Sequence, residues 1–548
     1  MLRTLILSFA IIVGTLLLLR GSGIVPFYAI KIVPQGKWGN IGLDAVKMEH
    51  VLGYLDDPVA LYQDCWNLLR PGGAWHPAEF IEHKGHLVLE GALLLIILYF
   101  MAQRSSKPQG QKSRQVRLTE QEIDELCEEW EPEPLSGTVT AFQKEWLKSV
   151  PIVSSHGSKT VRVNGKHGVL NFCTTNFLGL ADDPRIQQAG EKTIGKYGVG
   201  SCGPRGFYGT IDVHLELEEK IAKFMKTEES ILYSYDAATV PSIIPAFANA
   251  KDIIVLDDGC CNAIRSGCTL SRAKVVTCPH NDLIKLEEIL KQIIKEDKKI
   301  DKPLNRRFVV VEGIYQNTGE IAPLREIVKI KNKYKFRLLV DESISFGVLG
   351  PTGRGAIEHF GVEPSDVEII AASLGNSAAS IGGFCAGSRE IVDHQRLSGL
   401  GYCFSASLPP YLASTSMAAL DIIEMEGTHR MKKLQENAKY FRESLDTSKT
   451  FHVAGGAASL ISPLIHIRLQ TTSTDKAAWD DEELALQRIV NHCLDRSHVL
   501  MTVAKYSKID STFRPAPSIK VTVTTEHAKA DIDQAIRALQ HAHASVIG

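Results

Sequence analysis

Downstream of the first third of the chain, short apolar runs alternate with longer stretches of helical period. The runs are "SILYSY", "DIIVLDD", "AKVVTC", "RFVVVEG", "FRLLVDES" and "EIIAASL". Strands covered on both faces read as near-continuous Val/Ile/Leu segments. Between them stand "NDLIKLEEILKQIIKE" and "LREIVKIKNKYK", whose apolar positions fall at helical spacing. The alternation predicts an α/β large domain over 168–430, a mainly parallel sheet with helices on both faces. In such sheets ligands gather at the C-terminal strand ends. Residues 431–548 restart with the helix "RMKKLQENAKYFRESL", continue with strands "PLIHIRLQ" and "IKVTVTT", and close on the helix "ADIDQAIRALQHAHA". They predict a smaller C-terminal α+β domain.

The N-terminal part has a different pattern. Two apolar segments stand out, Thr4–Leu19 between Arg3 and Arg20, and His86–Ala102 with Glu90 as its one acid. Each is close to the lower limit of about 17 residues for a helical span. Arg104, Lys107, Lys112, Arg114 and Arg117 follow the second. By the positive-inside rule, a transmembrane helix at 86–103 leaves everything after it in the cytosol. The first segment, in the extension 1–85, reads as a signal-anchor, a cleaved signal or a second span. Both segments also fit buried helices of a soluble domain. A polar linker at 105–115 leads into a helical arm, the two together filling 104–167. In "LTEQEIDELCEEWEPEPL", Thr119 and Glu122 form a capping-box start, and Ile123, Leu126 and Trp130 fall on one face. Pro132 and Pro134 end that helix, which suits packing on its own domain or on a partner.

With 44% hydrophobic and 23% charged residues, the 548-residue chain is ordinary globular material, too long for one core. A net charge of -2 supplies no basic field for nucleic acid, and no nucleic-acid-binding motif spacing occurs. The 11 cysteines are scattered without a CxxC pair, and the neighbours Cys260 and Cys261 are poorly placed for a shared metal or a mutual disulfide. They predict buried free thiols, a reducing compartment and no metal site.

Two stretches carry candidate chemistry. "YGVGSCGPRGFYGTIDVHLELEEKIAKF" places Gly198, Gly200, Gly203, Gly206 and Gly209 in one loop, able to bring backbone close to a ligand or a neighbouring chain. It also fits a set of tight turns. The helix that follows is expected to bury Leu215, Ile221 and Phe224. "RLLVDESISFGVLGPTGRG" puts Asp341 at the end of a strongly apolar strand, where a carboxylate needs a cation or hydrogen-bond donors. It suits a cofactor partner such as a pyridinium nitrogen, or a cap on the next turn.

Together with "IGGFCAG", "DHQRLSGLGYCFSASLPPYLAS" and "RPAPSIKVTVT", these segments resemble the pyridoxal-phosphate α-oxoamine synthases over residues 118–548. Within that family they look like serine palmitoyltransferase of the long-chain-base subunit 1 type. The resemblance implies a PLP-dependent transferase fold of type I. It also implies that the cofactor lysine is missing, because Asn376 holds its place before the Gly382-Gly383 pair. Ile344 stands for the histidine of an Asp-Glu-Ala-His-Ser pattern, Cys261 for the histidine that stacks on the ring, and Asp236 for a phosphate-turn glycine. Asp341 is retained. Asn376 cannot form an imine or carry the α-proton, Ile344 cannot hydrogen-bond, and Cys261 offers no π-face.

The resemblance therefore implies a non-catalytic, required subunit of a heterodimer. A catalytic subunit 2 would hold pyridoxal 5'-phosphate covalently, and this chain would complete the partner's site through Cys202, Gly203, Ser405 and Ser407. Those residues also fit interface packing and turns. Lys520 stands where catalytic relatives have a carboxylate-binding arginine, and with the pocket lost it reads as structural. The family further implies the endoplasmic reticulum membrane with its lipid, a cytosolic large domain, a small activating membrane subunit and Orm-type regulators. Two other classes remain open: a self-sufficient acyl-CoA:amino acid acyltransferase, and a purely regulatory membrane scaffold.

Overall fold

The computed structural model describes residues 118–548, apart from 133–134, 136, 138, 140, 156, 298–304, 447–448, 456–460, 473–474 and 507–513. The expected spans at 4–19 and 86–103, and the linker 105–115, lie outside the described residues. Among those described, no helix is long and apolar enough to cross a membrane. The chain divides into two compact units, Met1–Pro134 and Leu135–Gly548.

In the first unit the structure describes the helix Glu120–Glu129. Thr119 Oγ1 accepts from the Glu122 amide at 3.3 Å, and the Glu122 carboxylate accepts from the Thr119 amide at 2.8 Å. These reciprocal bonds satisfy two amides that a helix start leaves orphaned. Ile123 and Leu126 are exposed, and so is Trp130, which lies just past the helix rather than on its face.

In the second unit the helix Ala141–Lys148 is followed by the hairpin β1 (Thr160–Val163) and β2 (Lys166–Asn171), turned at Asn164 and Gly165, both at positive φ. Asn-Gly suits the tight hairpin turn whose twist matches the flanking strands. The main sheet holds β3 (Glu229–Tyr233), β4 (Ile253–Asp257), β5 (Lys274–Cys278), β6 (Arg307–Glu312), β7 (Arg337–Asp341), β8 (Ile369–Ser373) and β9 (Gly383–Gly387). Their order is β3-β9-β8-β7-β6-β4-β5. The six anticipated runs are its parallel strands; β9, antiparallel to both neighbours, slots between β3 and β8. Its sequence "GFCAG" is buried throughout, but its small residues lack the β-branched signature of a strand.

The small sheet is made of β10 (Phe451–Val453), β11 (Leu464–Leu469), β13 (Thr502–Val503) and β14 (Ile519–Thr522), in the order β10-β11-β14-β13. A short β12 (Val499–Leu500) pairs instead with β2. On one face Phe451, Ile465, Ile467, Ile519 and Val521 build a core with residues of the helices Trp479–Ser497 and Lys529–Val546. The other face carries His452, His466, Arg468, Lys520 and Thr522, while Leu464 on that side joins the main core.

The helix Pro410–Asp446 runs unbroken, so a boundary between 430 and 431 falls inside it, and one between 167 and 168 falls inside β2. After the glycine loop, the helix Asp212–Met225 buries Val213, Leu217, Ile221 and Phe224. Leu215, expected on that face, is exposed, because it lies off the stripe running through 217, 221 and 224.

Candidate functional site

The candidate residues converge on the C-terminal edge of the main sheet. Asp236 opens the helix after β3, Cys261 caps the helix after β4, and Asp341 ends β7. Ile344 follows in the next turn, and Asn376 sits between β8 and β9. Glu312, which ends β6, pairs directly with Asp341 in the strand register. Both acids are buried, and no ion pair reaches either among the described residues. Glu312 accepts from the amides of Cys261 at 2.5 Å and Gln316 at 2.9 Å, while Asp341 accepts from Ser343 at 2.9 Å. Burial, and then the charge of Asp341, holds Glu312 well above the ordinary carboxylate range. Two acids this close and this dry do not both ionise at neutral pH, so the pair holds a proton.

Most of the other polar groups there are answered by their neighbours, the buried hydroxyls of Ser377 and Tyr315 excepted. The Asn376 amide donates to the Ser343 carbonyl at 2.6 Å and ties the two turns together. Ile344 packs into the main core. Burial pushes the Cys261 thiol well above its usual value, so it is no thiolate. The Ser373 hydroxyl donates to Asp236 at 3.3 Å, and a Cβ added to Gly375 would meet that carboxylate at 2.8 Å. Glu342 accepts from the amides of Ala356 and Ile357 at 2.8 and 3.0 Å and from the Ser345 hydroxyl, and burial pushes it up to about 7. This set does not fit a covalently held pyridoxal phosphate. Asn376 presents an amide, which forms no imine, and Asp236 presents a carboxylate, which repels a phosphate. Asp341 alone suits the cofactor.

The second group of candidates is brought together alongside, where the Ser234 hydroxyl, two residues before Asp236, donates to the Ala406 carbonyl. Pro204 of the glycine loop bridges to Ala406, the Ser407 amide donates to Gly203 O at 2.9 Å, and the hydroxyls of Ser201 and Ser407 lie 2.6 Å apart. The loop is tight enough that a Cβ on Gly209 would come within 2.0 Å of Gly203 O. Underneath, Arg205 binds Glu218 through both terminal nitrogens at 2.9 and 3.0 Å, nearly out of solvent. His214 Nδ1 accepts from the Ile211 amide at 3.1 Å, so Nε2 carries the proton and donates to Leu408 O at 2.6 Å. Cys202 is exposed at φ 54°, and Ser405 is half-buried. Around them Val199, Phe207, Tyr208, Leu397 and Phe404 face solvent. Exposed apolar side chains gathered this way mark an interaction surface. Lys520 lies on the polar face of β14 opposite His466, which in turn reaches the Gln316 carbonyl at 3.1 Å.

Sequence reading missed Glu312, Glu342 and the Arg205–Glu218 pair. Glu312 carries the signal that singled out Asp341, an acid closing a strongly apolar strand. The other two depend on contacts across the chain.

The seven-stranded sheet, the small C-terminal sheet and the residues at the strand ends define the pyridoxal-phosphate-dependent aminotransferase-like fold. Residues 167–539 match the family model for aminotransferase class I and II. The chain is 44% identical to long chain base biosynthesis protein 1b of Oryza sativa subsp. japonica, over 85% of this chain and 93% of that protein. It is 42% identical to serine palmitoyltransferase 1 of Dictyostelium discoideum, over 85% and 96%. The solved serine palmitoyltransferase of Sphingomonas wittichii superposes with a TM-score of 0.63 at 25% identity, over 72% of this chain and 92% of that one. The chain belongs to the class I and II aminotransferase family, in its long-chain-base subunit 1 branch.

Proposed function

We propose that this chain is the non-catalytic, required subunit of serine palmitoyltransferase. The complex condenses L-serine with palmitoyl-CoA to 3-ketodihydrosphingosine, carbon dioxide and CoA, the first step of sphingolipid synthesis. A second, catalytic subunit supplies the lysine that holds pyridoxal phosphate. One observation carries this reading: the side chain at the lysine's place is the amide of Asn376, bonded to Ser343 O. The loop carrying Cys202 and Gly203, locked to the segment of Ser405 and Ser407, is the wall lent to the partner's site. Its exposed Phe207, Tyr208 and Phe404 supply apolar area for that contact. A span at 86–103 anchors the chain in the endoplasmic reticulum membrane with its large domain in the cytosol. There it meets a small activating subunit and Orm-type regulators.

Co-expression with a catalytic long-chain-base subunit 2 tests this. The two chains purify together and condense serine with palmitoyl-CoA, whereas neither does so alone. Full activity from this chain by itself would overturn the proposal.

A further inference from the structure

Arg442, on the helix Pro410–Asp446, is only 2% exposed. Its Nε and Nη2 are shut off from solvent without a hydrogen-bond partner. These two nitrogens share one edge of the guanidinium, the edge that grips a carboxylate or phosphate side-on. No acid among the described residues reaches it within 4.0 Å; Asp446 and Glu320 act on it only through space. Burial lowers its pKa to about 10, which still leaves it a cation at neutral pH.

The neighbouring face of the small sheet shows the same lack. His452 lies opposite Arg468 and His466 opposite Lys520, all on the side turned away from the apolar core. Arg468 Nε, His452 Nδ1 and Thr522 Oγ1 are buried and unbonded as well. His466 has both ring nitrogens engaged, with Ser518 Oγ at 2.9 Å and Gln316 O at 3.1 Å. It is a fixed neutral wall that feels the charges of Lys520, Arg468 and Arg442 together. One orphaned buried donor is an oddity of packing. Two guanidinium groups that both act on His466, each with orphaned nitrogens and with no anion in contact among the described residues, are a site lacking its ligand.

We infer that this face of the small-domain sheet is an oxyanion-binding site, taking a phosphate or carboxylate group on Arg442 and Arg468. Its arginines are not among the residues gathered around Asn376, although His466 links this face through Gln316 to Glu312, and it stands whether or not the chain is catalytic. The group comes either from a free anion or from a larger phosphate ester such as an acyl-CoA, and both use the same guanidinium edges.

Thermal unfolding of the full chain, with the subunit it purifies with, is followed while inorganic phosphate, acetate or coenzyme A replaces chloride at constant ionic strength. At least one of the three raises Tm in the parent protein. Arg468→Gln, at a half-buried position, weakens the apparent affinity tenfold or more, and Arg442→Gln abolishes the rise. A response to coenzyme A far below the concentration needed for phosphate assigns the ester as the source; equal responses assign the free anion. If Arg442→Gln fails to fold, Arg468→Gln decides alone. No Tm rise with any of the three anions, or the same rise in the variants, overturns the site.

Discussion

The strand-end pocket and the glycine loop differ in how they spend their polar and apolar groups. At the pocket the candidate side chains are answered from within: Asn376 by Ser343, Asp236 by Ser373, and Glu312 by the amides of Cys261 and Gln316. The Asn376 amide forms no imine, and the Asp236 carboxylate repels a phosphate. At the loop the backbone is equally well tied, through Ser407 and Gly203, yet Phe207, Tyr208 and Phe404 are left in solvent. One region has been closed in on itself, and the other is built to be covered. Under the proposed function, the closed pocket does no chemistry of its own and the rigid, presented surface serves another subunit.

The largest effect should come from charging the presented surface. The double variant Tyr208→Asp/Phe404→Asp is expected to cut recovery of a tagged catalytic partner more than tenfold, while the chain's own unfolding curve stays in place. Partner recovery unchanged by the two charges would remove the distinction between the regions.

Below the loop, Glu218→Gln leaves the Arg205 guanidinium buried without its counter-charge. It should cost about 3 kcal/mol in denaturant unfolding. A loss under about 1 kcal/mol would mean that the salt bridge does not hold the loop.

The pocket should show itself in pH dependence. Glu312 holds its proton above the usual 4.5, so the folded state keeps a proton that the unfolded chain releases. Its contribution therefore falls as pH rises from about 4.5 toward neutrality. In the small domain the sign is reversed. Burial holds His466 down to about 3 and His527 to about 4, against 6.5 when unfolded, so stability rises with pH up to 6.5. Asp341→Asn removes the charge that helps keep Glu312 protonated. It should flatten the decline on the neutral side and leave the acid limb unchanged; a shifted acid limb would tie the two domains' titrations together.

The smallest effect is local. Cys202 sits in the left-handed region, so Cys202→Gly should raise stability by up to about 1 kcal/mol, seen as a small gain in Tm. Cys202→Trp tests the presented wall in another way: the assembled enzyme should lose activity or change its choice of amino acid. Unaltered kinetics would favour a scaffold that contributes nothing to the partner's site.

Much of this was legible before the structure. The six parallel strands announce themselves because strands covered on both faces must be almost wholly Val, Ile and Leu. Thr119 and Glu122 announce a helix start because the capping box is local. Asn376, Ile344, Cys261 and Asp236 were singled out by resemblance, and the structure gathers them at one sheet edge. What stayed hidden was long-range or chemically quiet. The strand "GFCAG" is held by its neighbours rather than by its own propensity. The helix Pro410–Asp446 carries the chain from one domain into the other with no Pro or Gly break after its start apart from Gly427, and one period gives no sign of that handover. The bridge from Pro204 to Ala406 and the orphaned edge of Arg442 exist only once distant segments meet.

The most direct test reduces the purified two-subunit complex with borohydride and maps pyridoxyl groups by peptide mass spectrometry. The label is expected on a lysine of the catalytic partner, with none on any amine of this chain. A pyridoxyl-lysine within residues 118–548 would contradict the reading of Asn376 and of the closed pocket around it.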